Sequence, residues 1–119
     1  MSAPVPTDLR LHQKSRKLEV AFDDGQVFEL PCEYLRVYSP SAEVRGHGPE
    51  QAVLQVGKED VNISAIEPVG NYAVKLVFDD GHDSGLYSWA YLHELGSHRD
   101  EYWQRYLEAL AAAGHVRRG

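Results

Sequence analysis

The chain has 119 residues, enough for one domain with a single core, and its 43% hydrophobic and 25% charged residues are those of an ordinary globular protein. A net charge of −6 excludes a general nucleic-acid or anionic-membrane binder, which needs a basic face, and no run of about 18 apolar residues is present to cross a membrane. A single cysteine, Cys32, excludes an internal disulfide and a thiolate metal cage built from this chain alone, which points to a reducing, cytoplasmic compartment.

Met1 to Thr7 is a Ser/Ala/Pro stretch without the apolar h-region of a signal peptide, and residues 1–8 are expected to form a flexible N-terminal segment before one domain over 9–114. Arg10, Lys14, Arg16 and Lys17 near the start, and Arg117 and Arg118 in a basic tail over 115–119, read as solvated ends. Leu18, Val20 and Phe22 then alternate with polar or small residues, the period of a half-buried strand. Asp23-Asp24-Gly25 supplies a turn, and Gln26 to Leu30 returns as a second strand. Pro31 suits the first position of a short helix, because its missing N–H has no partner there in any case. Tyr38 to Gln51 reads as loop, and Ala52 to Val56 as a short strand. Ile63–Val69 and Tyr72–Phe78 form a further hairpin around Gly70-Asn71.

Phe78-Asp79-Asp80-Gly81 repeats Phe22-Asp23-Asp24-Gly25, with Leu86 matched to Leu30 and Tyr91-Leu92 matched to Tyr34-Leu35 after a one-residue slip. In this second copy Ser88 is the expected N-cap of a helix over Trp89 to Leu95, closed by Gly96. Ser97 with Asp100 resembles a capping box for a last helix, whose Trp103, Tyr106, Leu107 and Leu110 share one face. The expected architecture is α+β: a mostly antiparallel sheet made of duplicated hairpin–short-helix units, with a C-terminal amphipathic helix packed on one side.

Several familiar sites are excluded by spacing. His93 and His98 are one residue too far apart for a zinc-protease helix, and Gly96 lies between them. His82-Asp83 lacks the intervening residue of a non-haem iron triad, and Gly46-His47-Gly48-Pro49 lacks the ending of a phosphate loop. Cys32 reads as a small buried residue with no base beside it. The candidate metal ligands are His82, Asp80 and Asp83 at the second turn, with His47 as the second imidazole, suiting a single iron or zinc ion. The candidate interaction surface is Ser39, Ser41, Glu43, Arg45 and His47 of the central loop with Tyr87 and Trp89, since aromatics and arginine supply much interface energy.

Five segments together resemble the γ-butyrobetaine hydroxylase-like N-terminal domain, also called DUF971: Leu30-Pro31-Cys32-Glu33-Tyr34-Leu35-Arg36, Ser39-Pro40-Ser41-Ala42-Glu43-Val44, Gly46-His47-Gly48, Ile66-Glu67-Pro68-Val69-Gly70-Asn71-Tyr72, and Gly81-His82-Asp83-Ser84-Gly85-Leu86-Tyr87-Ser88-Trp89. In carnitine-pathway dioxygenases such a domain precedes the catalytic jelly roll and holds a structural zinc. The resemblance places three of that zinc's ligand positions on Ser39, Ser41 and Val44 and the fourth on His82, so a zinc site of that type is not expected. It implies a domain with no catalysis of its own, since the dioxygenase domain does not follow. Related domains stand alone in bacteria or are joined to P-loop ATPases that carry iron–sulfur clusters. The expected function is therefore a non-catalytic accessory or interaction domain linked to iron or iron–sulfur protein assembly, with a P-loop ATPase assembly factor as partner. A metal-binding protein and a subunit of an oxygenase-type complex are the alternatives.

Overall fold

Alternation places Leu18, Val20 and Phe22 on one buried face of a strand, with Lys17, Glu19 and Ala21 on the other. The computed structural model, which describes residues 4–41 and 54–115, sets that strand in the middle of a three-stranded antiparallel sheet. Its strands are β1 (Pro6–His12), β2 (Lys17–Phe22) and β3 (Val27–Pro31), in that order, and a short helix α1 (Cys32–Val37) follows. The second half repeats the plan. Strands β4 (Ile63–Val69), β5 (Ala73–Phe78) and β6 (Leu86–Ser88) form another three-stranded antiparallel sheet, followed by α2 (Trp89–Ser97). Helix α3 (Arg99–Ala112) completes an α+β fold. Among the described residues no helix is long and apolar enough to cross a membrane.

The repeat goes deeper than Phe-Asp-Asp-Gly. Each unit opens with a further strand: β4 matches the strand expected over Ile63–Val69, whereas β1 was not expected and takes up Pro6, Thr7 and Asp8 from the stretch expected to be a flexible segment. Both opening strands carry a bulge at the same place, between Pro6 and Asp8 and between Ile63 and Ala65. The bulged residues are Thr7 and Ser64, whose hydroxyls donate to the Ala21 and Val77 carbonyls at 3.3 and 3.2 Å. Pairing also corrects the sequence alignment. Leu18 lies opposite Leu30, whereas its counterpart Val74 lies opposite Tyr87, so the twin of Leu30 is Tyr87, and Leu86 answers to Glu29. The one-residue slip therefore falls between His82 and Leu86.

Helix ends depart from expectation at three points. Pro31 is the N-cap of α1 rather than its first helical residue. Gly96 does not close α2, which runs on to Ser97; a Cβ there would lie 2.3 Å from the Phe28 ring, so glycine permits a close approach. Ser97 does not cap α3, because its hydroxyl bonds to His93 Nδ1 at 3.3 Å and His98 takes the N-cap position with no side-chain bond. The expected Ser88 cap holds, and the end of α3 is equally regular. The Ser88 hydroxyl accepts the Tyr91 N–H at 3.1 Å, and α3 ends in a Schellman pattern at Gly114, with His115 N–H donating to the Leu110 carbonyl. Leu54 to Val56 are not strand, and the rest of the strand expected over Ala52 to Val56 lies outside the described residues.

The inner faces of both sheets, α1 and α2 share one core, which includes Leu18, Val20, Phe22, Leu30, Leu76, Phe78, Tyr87 and Leu92. Burying each such side chain contributes about 1.5–3 kcal/mol. Tyr106 and Leu110 of α3 form a smaller cluster with Val37 at the end of α1. The halves also hold each other reciprocally. The Tyr34 hydroxyl donates to the Leu95 carbonyl at 2.7 Å, and its counterpart Tyr91 donates to the Tyr38 carbonyl at 2.6 Å. That is the reciprocity of an approximate two-fold axis between the repeats.

Candidate functional site

The two Asp-Asp-Gly turns are built from the same bonds. Gly25 and Gly81 take φ of +88° and +92°, which a side chain would resist. Phe22 and Phe78 N–H donate to the Gln26 and His82 carbonyls, and the Gln26 and His82 N–H groups donate to Oδ1 of Asp24 and Asp80. The first aspartates, Asp23 and Asp79, accept from the backbone N–H of Val5 and Asn62. The second aspartate of each turn is then held by a helix of the other repeat. His93 of α2 meets Asp24 at 2.8 Å, and its counterpart Arg36 of α1 meets Asp80 at 2.9 Å through Nε.

With so much shared, the differences stand out against an internal control. At the first turn Gly96 lies against the Phe28 ring. At the second, the twin pair is Ser39 against Gly85, where a Cβ would come within 2.5 Å of the Ser39 hydroxyl. His82 replaces Gln26, is 95% buried, and shares a 2.8 Å hydrogen bond between Nε2 and Ser39 Oγ. Ser41 N–H donates to Ser39 Oγ at 3.3 Å, and the Ser41 and Ser84 hydroxyls share a bond of 2.7 Å. Lys58 Nζ joins Arg36 on Asp80 Oδ2 at 2.8 Å. The scaffold closes its first turn with an aromatic ring against a glycine. The second carries a continuous polar network from Lys58 to Ser84.

Electrostatics follow from that network. Burial acts to raise the Asp80 pKa, but Lys58, the His82 amide and Arg36 outweigh it and hold the carboxyl at about 2. A folded value below the ordinary 3.8 stabilises the fold above that value, and the contribution is lost as pH falls through about 2. Asp80 should therefore titrate near 2 in a carboxyl-detected NMR titration of the folded protein, and a midpoint near 3.8 would contradict the clasp. Burial pushes the Cys32 thiol up to about 11, the opposite of an activated nucleophile.

The sequence-derived candidates divide. Ser39, Ser41 and His82 do come together, but as a buried cluster. Tyr87 is fully buried with its hydroxyl donating to the Leu35 carbonyl, and half-buried Trp89 donates to the Asn71 carbonyl, so Ser39, Ser41 and Tyr87 do not present the surface expected of them. Their burial follows from the tight inward packing of the β6 and α1 ends. Glu43, Arg45 and His47 lie outside the described residues. Asp80 is engaged by two cations and Asp83 is exposed, and among the described residues no group of three His, Cys, Asp or Glu is placed to hold a metal. Nor do the residues fit a zinc ion of the kind the resemblance implies. Of its positions, Ser39, Ser41 and His82 converge, but they offer two hydroxyls and one imidazole already bonded to one of them. Sequence reasoning missed Arg36, Lys58 and Ser84. The one signal available for Arg36 was its equivalence to His93 after the slip.

Comparison with known proteins places this geometry. The family model for the gamma-butyrobetaine hydroxylase-like, N-terminal domain matches residues 9–93. No curated protein matches the chain. A protein solved by NMR in solution is 59% identical, with a TM-score of 0.83 over 98% of this chain and 86% of its own. A second NMR structure is 48% identical, with a TM-score of 0.85 over 98% of this chain and 91% of its own. A crystal structure of a DUF971 protein of unknown function from Acidithiobacillus ferrooxidans is 38% identical, with a TM-score of 0.62 over 76% of this chain and 91% of its own. The chain belongs to the gamma-butyrobetaine hydroxylase-like N-terminal family, DUF971.

Proposed function

We propose that this domain is a non-catalytic accessory module that recognises a protein of iron or iron–sulfur assembly through its second Asp-Asp-Gly turn. The observation that carries the reading is the contrast between the twin turns. A buried Ser39–His82 pair and the Ser41–Ser84 bond stand where the first turn needs only Phe28 against Gly96. Buried polar networks are harder to satisfy than apolar packing, so one that the scaffold does not require argues for a role beyond folding. Three features speak against catalysis by these residues. Ser39 is fully buried, His82 Nε2 is engaged, and the Cys32 thiol is held protonated. The link to iron–sulfur proteins rests on family kinship with domains joined to cluster-carrying P-loop ATPases. A resident metal on His82, Asp80, Asp83 and His47 has less support, because Asp80 is already neutralised by Arg36 and Lys58.

The test is anaerobic affinity capture with metal analysis of the eluate. It compares the natural chain with a double variant carrying the first turn's own residues, Ser39→Gly and His82→Gln. An iron-bearing protein recovered by the natural chain and lost with the folded variant is the expected result. Equal recovery by both, or no iron-bearing protein with either, would overturn the proposal.

A further inference from the structure

Arg36 is 93% buried, and its guanidinium Nη1 has no hydrogen-bond partner among the described residues. Buried donors without acceptors are rare, and a charged one is costly, because the desolvation of the N–H is not returned. The charge count around it is also unbalanced. Arg36 Nε and Lys58 Nζ both meet the same oxygen, Asp80 Oδ2, at 2.9 and 2.8 Å, so two cations share one carboxylate. Asp79 is turned to the Asn62 backbone N–H, and Asp83 is exposed. At the twin turn no such surplus exists, because one imidazole, His93, meets one carboxylate, Asp24. Of the three carboxylates at this turn only Asp80 bonds to the two cations, so the surplus is one of bonded groups, and it leaves Arg36 with a spare buried donor.

We propose that the Arg36–Lys58 pair at the second turn is a binding site for a small oxyanion, a carboxylate or phosphate whose oxygen accepts from Arg36 Nη1 and whose charge is balanced by Lys58. A planar guanidinium anchored at Nε by Asp80 is held in orientation, which suits it to accept a second oxygen ligand. The site stands whether or not the domain serves iron–sulfur proteins.

Amide NMR titrations of the full chain with inorganic phosphate and, separately, acetate test it, with sodium chloride at matched ionic strength as control. Saturable shifts at Asp80, Gly81, His82 and Ser84 are expected from at least one oxyanion. Lys58→Met, at a half-buried position that leaves the Arg36–Asp80 bond in place, should weaken binding about tenfold. Arg36→Lys keeps the charge but removes the fork and should abolish saturation, while His93→Gln at the twin turn should leave it unchanged. Phosphate against acetate identifies which oxyanion the site takes. Shifts that stay linear, that chloride reproduces, or that survive Lys58→Met indicate an adventitious ion only and overturn the proposal. So does the absence of any shift.

Discussion

Replacing Arg36 with Met should destabilise the fold by about 3 kcal/mol, the lower end of the range for removing one partner of a buried ion pair. The Arg36 side chain is 9% exposed and reaches across from α1 to Asp80 in the second repeat, so its loss removes a bond between the halves and a buried stem together. Lys58 remains on Asp80 and limits the penalty, which is why the upper end is not expected. His93→Ala, the matching change in the other direction, should have the smaller effect. Its partner Asp24 sits in an exposed turn, and the main loss is edge contact with the Phe22 and Phe28 rings at 4.8 and 5.4 Å. Urea unfolding of both variants measures the difference. A loss below about 1 kcal/mol for Arg36→Met, or a larger one for His93→Ala, would mean that the clasp on Asp80 does not join the repeats as described.

The second large effect lies inside the polar cluster. His82→Ala removes a 95% buried ring that lies against Phe78 at 6.1 Å and leaves the Ser39 hydroxyl with the Ser41 N–H alone of the two, at a cost of about 2–4 kcal/mol. Ser39→Ala leaves the His82 ring in place and deprives Nε2 of its partner, at about 1–3 kcal/mol. The double variant should cost less than the sum by about 1 kcal/mol or more, since each single change already forfeits the shared bond. Strict additivity in thermal or urea unfolding would show that the 2.8 Å contact carries no coupling.

Much of this was legible in the residues. Alternation around Leu18–Phe22 and around Val74–Phe78, each ending in Asp-Asp-Gly, specified the two hairpins because a period of two buries one face whatever else the chain does. The apolar face of α3 was equally plain. The opening strand of the first repeat was not, because β1 is only half-buried and its identity depends on pairing with β2. Gly96 read as a helix stop because glycine does end helices, and only the Phe28 ring 2.3 Å from its absent Cβ explains its place inside α2. At the site, His82 was found from its difference from Gln26, but its burial was not, since short polar segments around a turn read as solvated. Arg36 was out of reach for another reason. It meets Asp80 across 44 residues of sequence, so no local pattern announces it, and its repeat equivalence to His93 joins two residues of different chemistry.

The polar network of the second turn exceeds what the scaffold needs. Unfolding of the Ser39→Gly, His82→Gln chain tests it most directly, because both residues are borrowed from the first turn and both partners of the buried bond are changed together. A folded protein within about 3 kcal/mol of the natural chain is expected, since the Ser39–His82 bond is removed from both sides and the Ser41 N–H is the group that loses its acceptor. A chain that fails to fold, or that loses more than the two single changes combined, would show that the cluster is structural and contradict the account.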